Sequence, residues 1–323
     1  MNTASKNNPL IVICAPTACG KTSFAESLFA RGAPFSFSGR AEVISADSMQ
    51  VYRGFNIGTA KPDKVLLEKL PHHLIDICGP RGSFGAGDFV RKTLEAARDI
   101  YSRKKIPVIV GGTGFYIRNF IYGLPPTPRA DPLLREKIAR RMENEGAEVL
   151  WKELEVLDPV SAHKIHLHDE YRIKRALEVC TASGKPLSSF SAAQKPREGF
   201  SFLILSLQRS RAELYERIDK RVELMFEQGL ADEVRSLVSS GCRAEDPAMQ
   251  AIGYREFFTA AGSLNRDTQA VKELIKKDSR AYAKRQQTFF KAFTDAADLN
   301  ADDIEGGEKK IAEFLGASIN ILD

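Results

Sequence analysis

The sequence predicts an α/β fold: a P-loop NTPase-like parallel sheet core flanked by helices, with an inserted all-helical domain and a helical C-terminal part. Three observations lead to it. Apolar, strand-like runs alternate with helical patterns, which is typical of a parallel sheet covered on both faces. A loop of phosphate-binding type, APTACGKT at 15–22, directly follows the first apolar run. Strand signals are sparse between about 131 and 191 and return at 202.

The first element is a buried strand at 10–14, and a helix over roughly 21–30 follows the loop. Backbone N–H groups in such a loop point inward, and the helix N-terminus adds positive potential, so the pair binds phosphate. Lys21 supplies charge to terminal phosphate oxygens, and the Thr22 hydroxyl is the predicted Mg²⁺ ligand. The predicted diphosphate- or nucleotide-binding loop consists of Ala15, Pro16, Thr17, Ala18, Cys19, Gly20, Lys21 and Thr22.

Ala15 is the first residue of this loop, at a position where glycine would fit any backbone conformation. If φ is positive there, the methyl group costs about 1 kcal/mol. We therefore expect strain at Ala15 only if its backbone is left-handed.

The next two strands, at 41–45 and 106–110, each end at polar residues, and a helical pattern at 88–104 lies between them. Asp47 follows the first of these strands and Thr113 the second. Ligands of parallel sheets collect at the carboxyl ends of the strands, so both side chains are expected beside the phosphate loop. Asp47 could hold magnesium, act as a general base or cap a helix. Thr113 could contact a ligand or belong to an ordinary strand-to-helix turn.

The segment LPPTP at 124–128 is a stiff connector that opens the strand-poor region. Helical patterns then cover 133–144, 147–157 and 170–183, a fourth strand follows at 202–207, and the chain is mostly helical from 211. We predict one domain built from 1–123 and 197–323, and a helical domain inserted at 124–196.

Composition favours a globular chain: 43% of the 323 residues are hydrophobic and 28% are charged. No apolar stretch approaches the roughly 18 residues that span a membrane, so we expect no membrane partner. The N-terminal residues MNTASKNNP lack a secretion signal, and the five cysteines are scattered without a CxxC pair, so we expect a cytoplasmic protein.

The net charge of +5 permits nucleic-acid binding without requiring it. The stretch 279–291 holds Arg280, Lys284, Arg285 and Lys291 and no acid, which fits either a solvated helix face or a phosphate-binding surface. Arg217 and Arg221 are four residues apart and would share one helix face, where they could clamp phosphate or pair with nearby acids. The histidines show no metal-binding pattern, and a structural role is the favoured interpretation.

Several motifs together resemble those of one family, the tRNA dimethylallyltransferases, also called tRNA isopentenyltransferases. The most specific are ADSMQVYRG at 46–54 and IGTAKP at 57–62. Others are the phosphate loop at 15–22, PHHLID at 71–76, GGTGFY at 111–116, RALEV at 175–179, AIGY at 251–254 and AKRQ at 283–286. The chain departs from the family pattern with Ala15 for glycine, Cys19 for serine and Phe289 for tryptophan.

The resemblance implies transfer of a dimethylallyl group from dimethylallyl diphosphate to N6 of adenine 37 in the tRNA anticodon loop, with release of diphosphate. It implies that the catalytic residues are Asp47, which accepts the amine proton, Thr113, which positions the reactants, and Arg221, which neutralises the leaving group with Lys21 and Mg²⁺. By the same resemblance Arg221 is favoured over Arg217.

The resemblance also implies a tRNA-binding surface and an inserted domain that closes over the anticodon stem-loop of tRNA. We expect the protein to act as a monomer. The implied tRNA-binding residues are Asp47, Ser48, Met49, Gln50, Thr113, Arg135, Tyr171, Arg172, Ile173, Lys174, Arg175, Ala251, Ile252, Gly253, Tyr254, Arg255, Lys284, Arg285 and Gln286.

Three other functions share part of this pattern. An adenylate isopentenyltransferase acting on free AMP, ADP or ATP would share the chemistry, but it would not need the helical insertion or the basic segment. A small-molecule P-loop kinase would place Asp47 on magnesium and turn over ATP. A non-catalytic RNA-binding module would not need Lys21, Thr22, Asp47 and Thr113 together.

Overall fold

A computed structural model of the chain describes residues 8–128, 131–190, 195–259, 262–265 and 267–316. Residues 1–7, which contribute to the expected absence of a secretion signal, lie outside the described residues. The chain divides into two compact units, one formed by Met1–Ile121 with Arg197–Asp323 and the other by Tyr122–Pro196. None of the helices in the described ranges is long and apolar enough to cross a membrane.

The first unit is built on a parallel sheet, which confirms the predicted fold class. Among the described residues the sheet has six strands in the order β3-β2-β4-β1-β5-β6. The strands are β1 Asn8–Cys14, β2 Ala41–Ser45, β3 His72–His73, β4 Ile106–Gly111, β5 Phe200–Gln208 and β6 Ala297–Asn300. The four predicted strands begin and end within two residues of their expected bounds, whereas the short edge strands β3 and β6 carry too few residues to show a pattern.

Helices surround the sheet and form the inserted unit. Those before the insertion are α1 Lys21–Phe29, α2 Lys64–Lys69, α3 Ala86–Ser102 and α4 Gly114–Tyr122. The inserted unit contains α5 Pro132–Glu145, α6 Ala147–Leu157, α7 Pro159–Lys164 and α8 Glu170–Ser183. The helices after it are α9 Arg211–Glu227, α10 Leu230–Ser239, α11 Thr268–Phe290 and α12 Ile304–Gly316.

The inserted unit has its own small core. Apolar side chains at helical spacing on α5, α6 and α8 are buried together, among them Ile138, Leu150 and Ile173. Aspartates cap the starts of α5, α7 and α8: the Asp158 carboxylate accepts the Ser161 N–H at 3.0 Å, and Asp131 and Asp169 cap α5 and α8 in the same way.

The register of the sheet brings the polar strand ends together. Cys14 at the end of β1 pairs with Gly111 of β4 and with Ser206 of β5, and Ser45 of β2 pairs with Val110. β1, β2 and β4 are almost fully buried, so the pairing of their apolar residues fixes this register. The segments that follow these strands therefore start from one edge of the sheet.

Gly111 lies so close to the strand end of β2 that a side chain does not fit. A Cβ atom built there would fall well inside van der Waals contact with the Ala46 carbonyl. We expect Gly111→Ala to lower the free energy of unfolding by about 3 kcal/mol, because backbone must move to relieve the overlap. Equilibrium unfolding in urea measures this change in the free energy of unfolding. The control Gly79→Ala, whose Cβ would find its nearest neighbour at 4.0 Å, should change stability by less than about 1 kcal/mol, and equal effects would contradict this interpretation.

Candidate active site

The phosphate loop connects β1 to α1 and contains two residues with left-handed backbone conformation. The residues with positive φ are Ala18, at 60°, and Gly20, at 109°. Ala15 does not have a positive φ, so the methyl group that replaces the usual glycine is not strained. Ala15 is buried, and its carbonyl accepts a hydrogen bond from the Lys21 ammonium at 2.9 Å, as the Pro16 carbonyl does at 2.8 Å. Lys21 therefore lies over the loop, close to where a terminal phosphate would bind.

Three arginines hold three consecutive residues of the loop. Arg209 Nε donates to the Cys19 carbonyl at 2.7 Å, and Arg217 Nε donates to the Ala18 carbonyl at 2.9 Å. Arg221 Nη1 lies 3.3 Å from the Thr17 hydroxyl. Arg217 and Arg221 are one turn apart on α9, so both members of the predicted pair reach the loop.

The turn that follows β2 fixes both Asp47 and Thr113 through backbone hydrogen bonds. The Asp47 Oδ1 atom accepts the N–H groups of Met49 at 2.8 Å and Gln50 at 3.3 Å. The Thr113 hydroxyl accepts the Ser48 N–H at 3.0 Å, and the Thr113 N–H donates to the Ala46 carbonyl. These bonds hold the carboxylate and the hydroxyl at the sheet edge predicted from the sequence.

A cationic cavity of about 550 Å³ opens above the loop. Asp47 is the acidic residue in its lining, and Thr22 contributes a hydroxyl. The positive side chains that line it are Lys21, Lys61, Arg217, Lys220 and Arg221. This excess of positive charge suits a polyanion such as diphosphate.

A second, mostly apolar cavity of about 290 Å³ adjoins the first. Its apolar lining comes from Met49, Ile218, Val222, Met225, Ile252 and Ile275, and its polar lining includes Gln250, Arg255, Ser279 and Arg285. Both cavities share Thr17, Asp47, Thr59, Arg221, Met225 and Tyr282 as lining residues. Asp47 and Arg221 thus lie at the junction between a charged cavity and an apolar cavity.

The electrostatics of the junction follow from burial. Burial lowers the pKa of the Lys21 ammonium to about 8, and the nearby Arg221 guanidinium lowers it too, while the Asp47 carboxylate opposes both. Burial likewise lowers the pKa of Arg221, again opposed by Asp47. Two desolvated cations held beside one carboxylate gain stabilisation when an anion binds between them.

A pH dependence follows for anion binding. Lys21 binds an anion as ammonium, which predominates below a pKa of about 8; above it, binding must take up a proton. We expect the affinity for inorganic diphosphate to fall by up to about tenfold per pH unit above pH 8, relative to Lys21→Arg, whose guanidinium stays charged. Isothermal titration calorimetry on both proteins between pH 6.5 and 9.5 tests this, because the titration of diphosphate itself cancels in the comparison. If the diphosphate affinities of the wild type and of Lys21→Arg changed with pH in parallel, this prediction would be contradicted.

Many residues expected to contact tRNA line these cavities. Ser48, Met49, Ala251, Ile252, Gly253, Arg255 and Arg285 line the apolar cavity, and Gln50 lines the cationic one. Lys284 instead lines a separate recess with Arg211 and Lys291. Gln286 also belongs to the lining of the cationic cavity, but it is buried and both ends of its amide are engaged, by the Thr17 N–H and the Gly112 carbonyl.

Tyr254 has no exposed surface, and its hydroxyl is already engaged. It donates to the Glu233 carboxylate at 2.6 Å and accepts the Gly58 N–H at 3.1 Å. The same carboxylate accepts the Ile57 N–H at 3.0 Å. The side chain of Tyr254 therefore shapes the loop of the IGTAKP motif and is not itself part of the lining of the apolar cavity.

The inserted unit presents some of its predicted residues and buries others. Tyr171 is 78% exposed, and Arg172 also lies at the surface. Ile173 is fully buried in the unit's core, so its side chain cannot meet a ligand. Arg135 and Arg175 both pair with Glu178, at 3.1 and 3.0 Å, and Lys174 lies 3.9 Å from Glu170.

The lining residues that sequence reasoning missed include Thr59, Met225, Gln250 and Tyr282. The sequence pattern could have indicated Tyr282, because it lies one helical turn before Gln286 in the same basic segment. Burial raises the pKa of its phenol to about 12, the Asp47 carboxylate raises it too, and the Thr113 side chain opposes them. Because Tyr282 also lines both cavities, as Asp47 and Arg221 do, it belongs with the candidate site residues.

Comparisons with known proteins agree on one family. Residues 50–293 match the model of the IPP transferase family. The chain is 44% identical over 287 residues to tRNA dimethylallyltransferase 2 of Geotalea uraniireducens, covering 87% of this chain and 88% of that protein. It is 41% identical over 292 residues to a tRNA dimethylallyltransferase of Geobacter sulfurreducens, covering 90% and 91%.

Solved structures give the same result. The crystal structure of a full-length tRNA isopentenylpyrophosphate transferase from Bacillus halodurans matches with a TM-score of 0.65 and 33% identity, over 98% of each chain. A eukaryotic dimethylallyltransferase described as acting on tRNA matches with a TM-score of 0.75 and 27% identity, over 95% of this chain and 77% of that one.

Proposed function

The chain belongs to the IPP transferase family, and we propose that it transfers a dimethylallyl group from dimethylallyl diphosphate to N6 of adenine 37 in the anticodon loop of tRNA, releasing diphosphate. The observation that carries this proposal is the shared cavity of Lys21 and Asp47. A cation for the leaving group and a carboxylate for the attacking amine line the same space. This arrangement suits displacement at a carbon atom held between them.

The leaving group belongs in the cationic cavity. Lys21, Arg217 and Arg221 surround the position where diphosphate would lie on the loop N–H groups. Negative charge grows on the diphosphate as the carbon–oxygen bond breaks. Arg221, at the junction of the two cavities, would therefore stabilise the transition state more than the ground state, whereas Arg217 would bind the diphosphate equally in both.

Mg²⁺ fits the chemistry of this cavity. The Thr22 hydroxyl and diphosphate oxygens are the hard oxygen ligands that this ion prefers. When bound, the ion would supply further charge neutralisation to the leaving group. Thr22 is the residue of the chain that we assign to hold it.

The acceptor belongs at the apolar cavity. An adenine extruded from the anticodon loop could place its ring among Met49, Val222 and Ile252 and its polar edges near Gln250 and Arg255. Its exocyclic amine then faces the junction, where Met225 offers an apolar wall to the five-carbon group.

The bonds and charges balance in this arrangement. N6 forms a bond to the allylic carbon, the carbon–oxygen bond breaks, and its electron pair leaves with diphosphate. The N6 proton passes to the Asp47 carboxylate, whose Oδ1 is fixed by the Met49 and Gln50 N–H groups. Thr113 holds the Ser48 backbone, which keeps this carboxylate at the junction.

The tRNA contacts extend beyond the cavities. Arg255 and Arg285 at the apolar cavity, Lys284 in its recess, and the exposed Tyr171 and Arg172 are suited to phosphates and unstacked bases. The tRNA-binding role of the inserted unit, action as a monomer and a cytoplasmic location are parts of the same proposal.

A single labelling assay tests the function. The protein is incubated with radiolabelled dimethylallyl diphosphate and Mg²⁺, with unmodified tRNA, with AMP or without acceptor. We expect label in tRNA at adenine 37. Label in AMP alone would support the free-adenylate enzyme, ATP consumption without label a kinase, and RNA binding without turnover a non-catalytic module.

A further inference from the structure

One buried glutamine connects the two ligand-binding turns of the first unit. Gln286 on α11 is 6% exposed. Its Oε1 atom accepts the Thr17 N–H at 2.8 Å, and its Nε2 atom donates to the Gly112 carbonyl at 2.8 Å. Thr17 belongs to the phosphate loop, and Gly112 directly precedes Thr113. A single planar amide therefore spans the loop on the donor side and the turn on the acceptor side.

The fit around this amide is tight. A Cβ atom on Gly112 would fall inside van der Waals contact with Gln286 Nε2, so the turn needs glycine at this position. The amide must also offer an acceptor to one turn and a donor to the other. Neither a carboxylate nor an apolar side chain of the same length does both.

Other residues on this face of α11 contact the same turn. Tyr282, one helical turn earlier, lies beside Thr113 and Gln286. Phe289 occupies the space that a Cβ on Gly114 would need. Residues of α11 thus contact all three residues of the turn, Gly112, Thr113 and Gly114. The helix therefore supports the conformation of this turn.

We propose that Gln286 is a positioning residue that sets the distance between the bound diphosphate and the attacking amine. This rests on the proposed function, since it assigns those ligands to the two turns. Displacement at carbon depends on alignment, and a misplacement of about 1 Å can cost about 100-fold in rate. Gln286 was expected to bind tRNA; its buried bonds assign it instead to the geometry of the reaction.

The test compares two variants. Gln286→Met keeps the length of the side chain and loses both hydrogen bonds, so kcat should fall by about 10- to 100-fold with tRNA affinity within about threefold. Gln286→Glu keeps an acceptor for the Thr17 N–H, but its ionised carboxylate has no hydrogen to donate to the Gly112 carbonyl. Protonation restores a donor, and burial favours the protonated form, so its kcat relative to wild type should rise about tenfold from pH 8.5 to pH 6.

Controls distinguish the loss of the positioning role of Gln286 from a loss of folding and from an absence of the proposed activity. Gln269→Met makes the same substitution at an exposed position of α11 and should match wild type. Wild-type transfer of label to tRNA is the reference: its absence would overturn the proposed function. With that reference intact, a Met variant that loses only tRNA affinity or only thermal stability, or a Glu variant without pH rescue, would overturn the positioning role.

Discussion

Asp47→Asn should lower kcat by about 10²- to 10⁴-fold and leave the affinity for tRNA within about threefold of wild type. The asparagine Oδ1 atom can still accept the Met49 and Gln50 N–H groups that hold Asp47, so the turn after β2 should survive. Only the ability to take a proton from N6 is lost. Asparagine therefore isolates the general base more cleanly than alanine, which would also remove the turn.

Single-turnover kinetics with saturating donor give the rate, and filter binding gives the tRNA dissociation constant. The matched control is Asp267→Asn at the start of α11, where the side chain accepts the Ala270 N–H and asparagine caps as well as aspartate. It should leave both quantities unchanged. Equal losses of rate and of tRNA binding in Asp47→Asn would show that the carboxylate binds tRNA rather than accepting a proton.

Arg221→Met and Arg217→Met should separate catalysis from donor binding. Both arginines reach the phosphate loop, but Arg221 lines the junction of the two cavities and Arg217 lines only the cationic one. In the proposed complex the half-buried guanidinium of Arg221 would face the reacting end of the diphosphate, where charge develops. We expect Arg221→Met to lower kcat by about 10²- to 10³-fold.

Arg217→Met should instead raise the KM for dimethylallyl diphosphate by about tenfold and change kcat by less than about threefold, because uniform binding is lost. Steady-state kinetics with varied donor and saturating tRNA distinguish the two variants. Methionine keeps the apolar stem of each side chain in place on α9, so packing changes are matched. A large loss of kcat in Arg217→Met with Arg221→Met close to wild type would reverse the assignment.

The strands that carry the site could be predicted because they are buried over their whole length and consist mostly of apolar residues. Residues 41–45 and 106–110 each form a continuous run that stops at the residue where the polar segment begins. Their carboxyl ends meet at one edge in any parallel sheet, so Asp47, Thr113 and the loop could be placed together before the structure was known.

Side-chain direction and backbone conformation could not be predicted from motifs. Ile173 and Tyr254 lie within basic or glycine-containing motifs, yet both side chains are buried. Neighbours in sequence point to different sides of a helix or turn, so membership of a motif does not place a side chain at its surface. Likewise, the alanine of the loop with a positive φ is Ala18 and not Ala15, because φ depends on the hydrogen bonds of the folded loop.

The central claim is that one displacement at carbon is flanked by Asp47 on the amine side and by the Lys21 loop on the diphosphate side. A crystal structure with an anticodon stem-loop and a thio analogue of dimethylallyl diphosphate, whose carbon–sulfur bond resists cleavage, tests it most directly. We expect N6 of adenine 37 about 3 Å from the Asp47 carboxylate, with the allylic carbon between N6 and the bridging sulfur. An adenine bound away from Asp47, or a diphosphate outside the Lys21 loop, would contradict the claim.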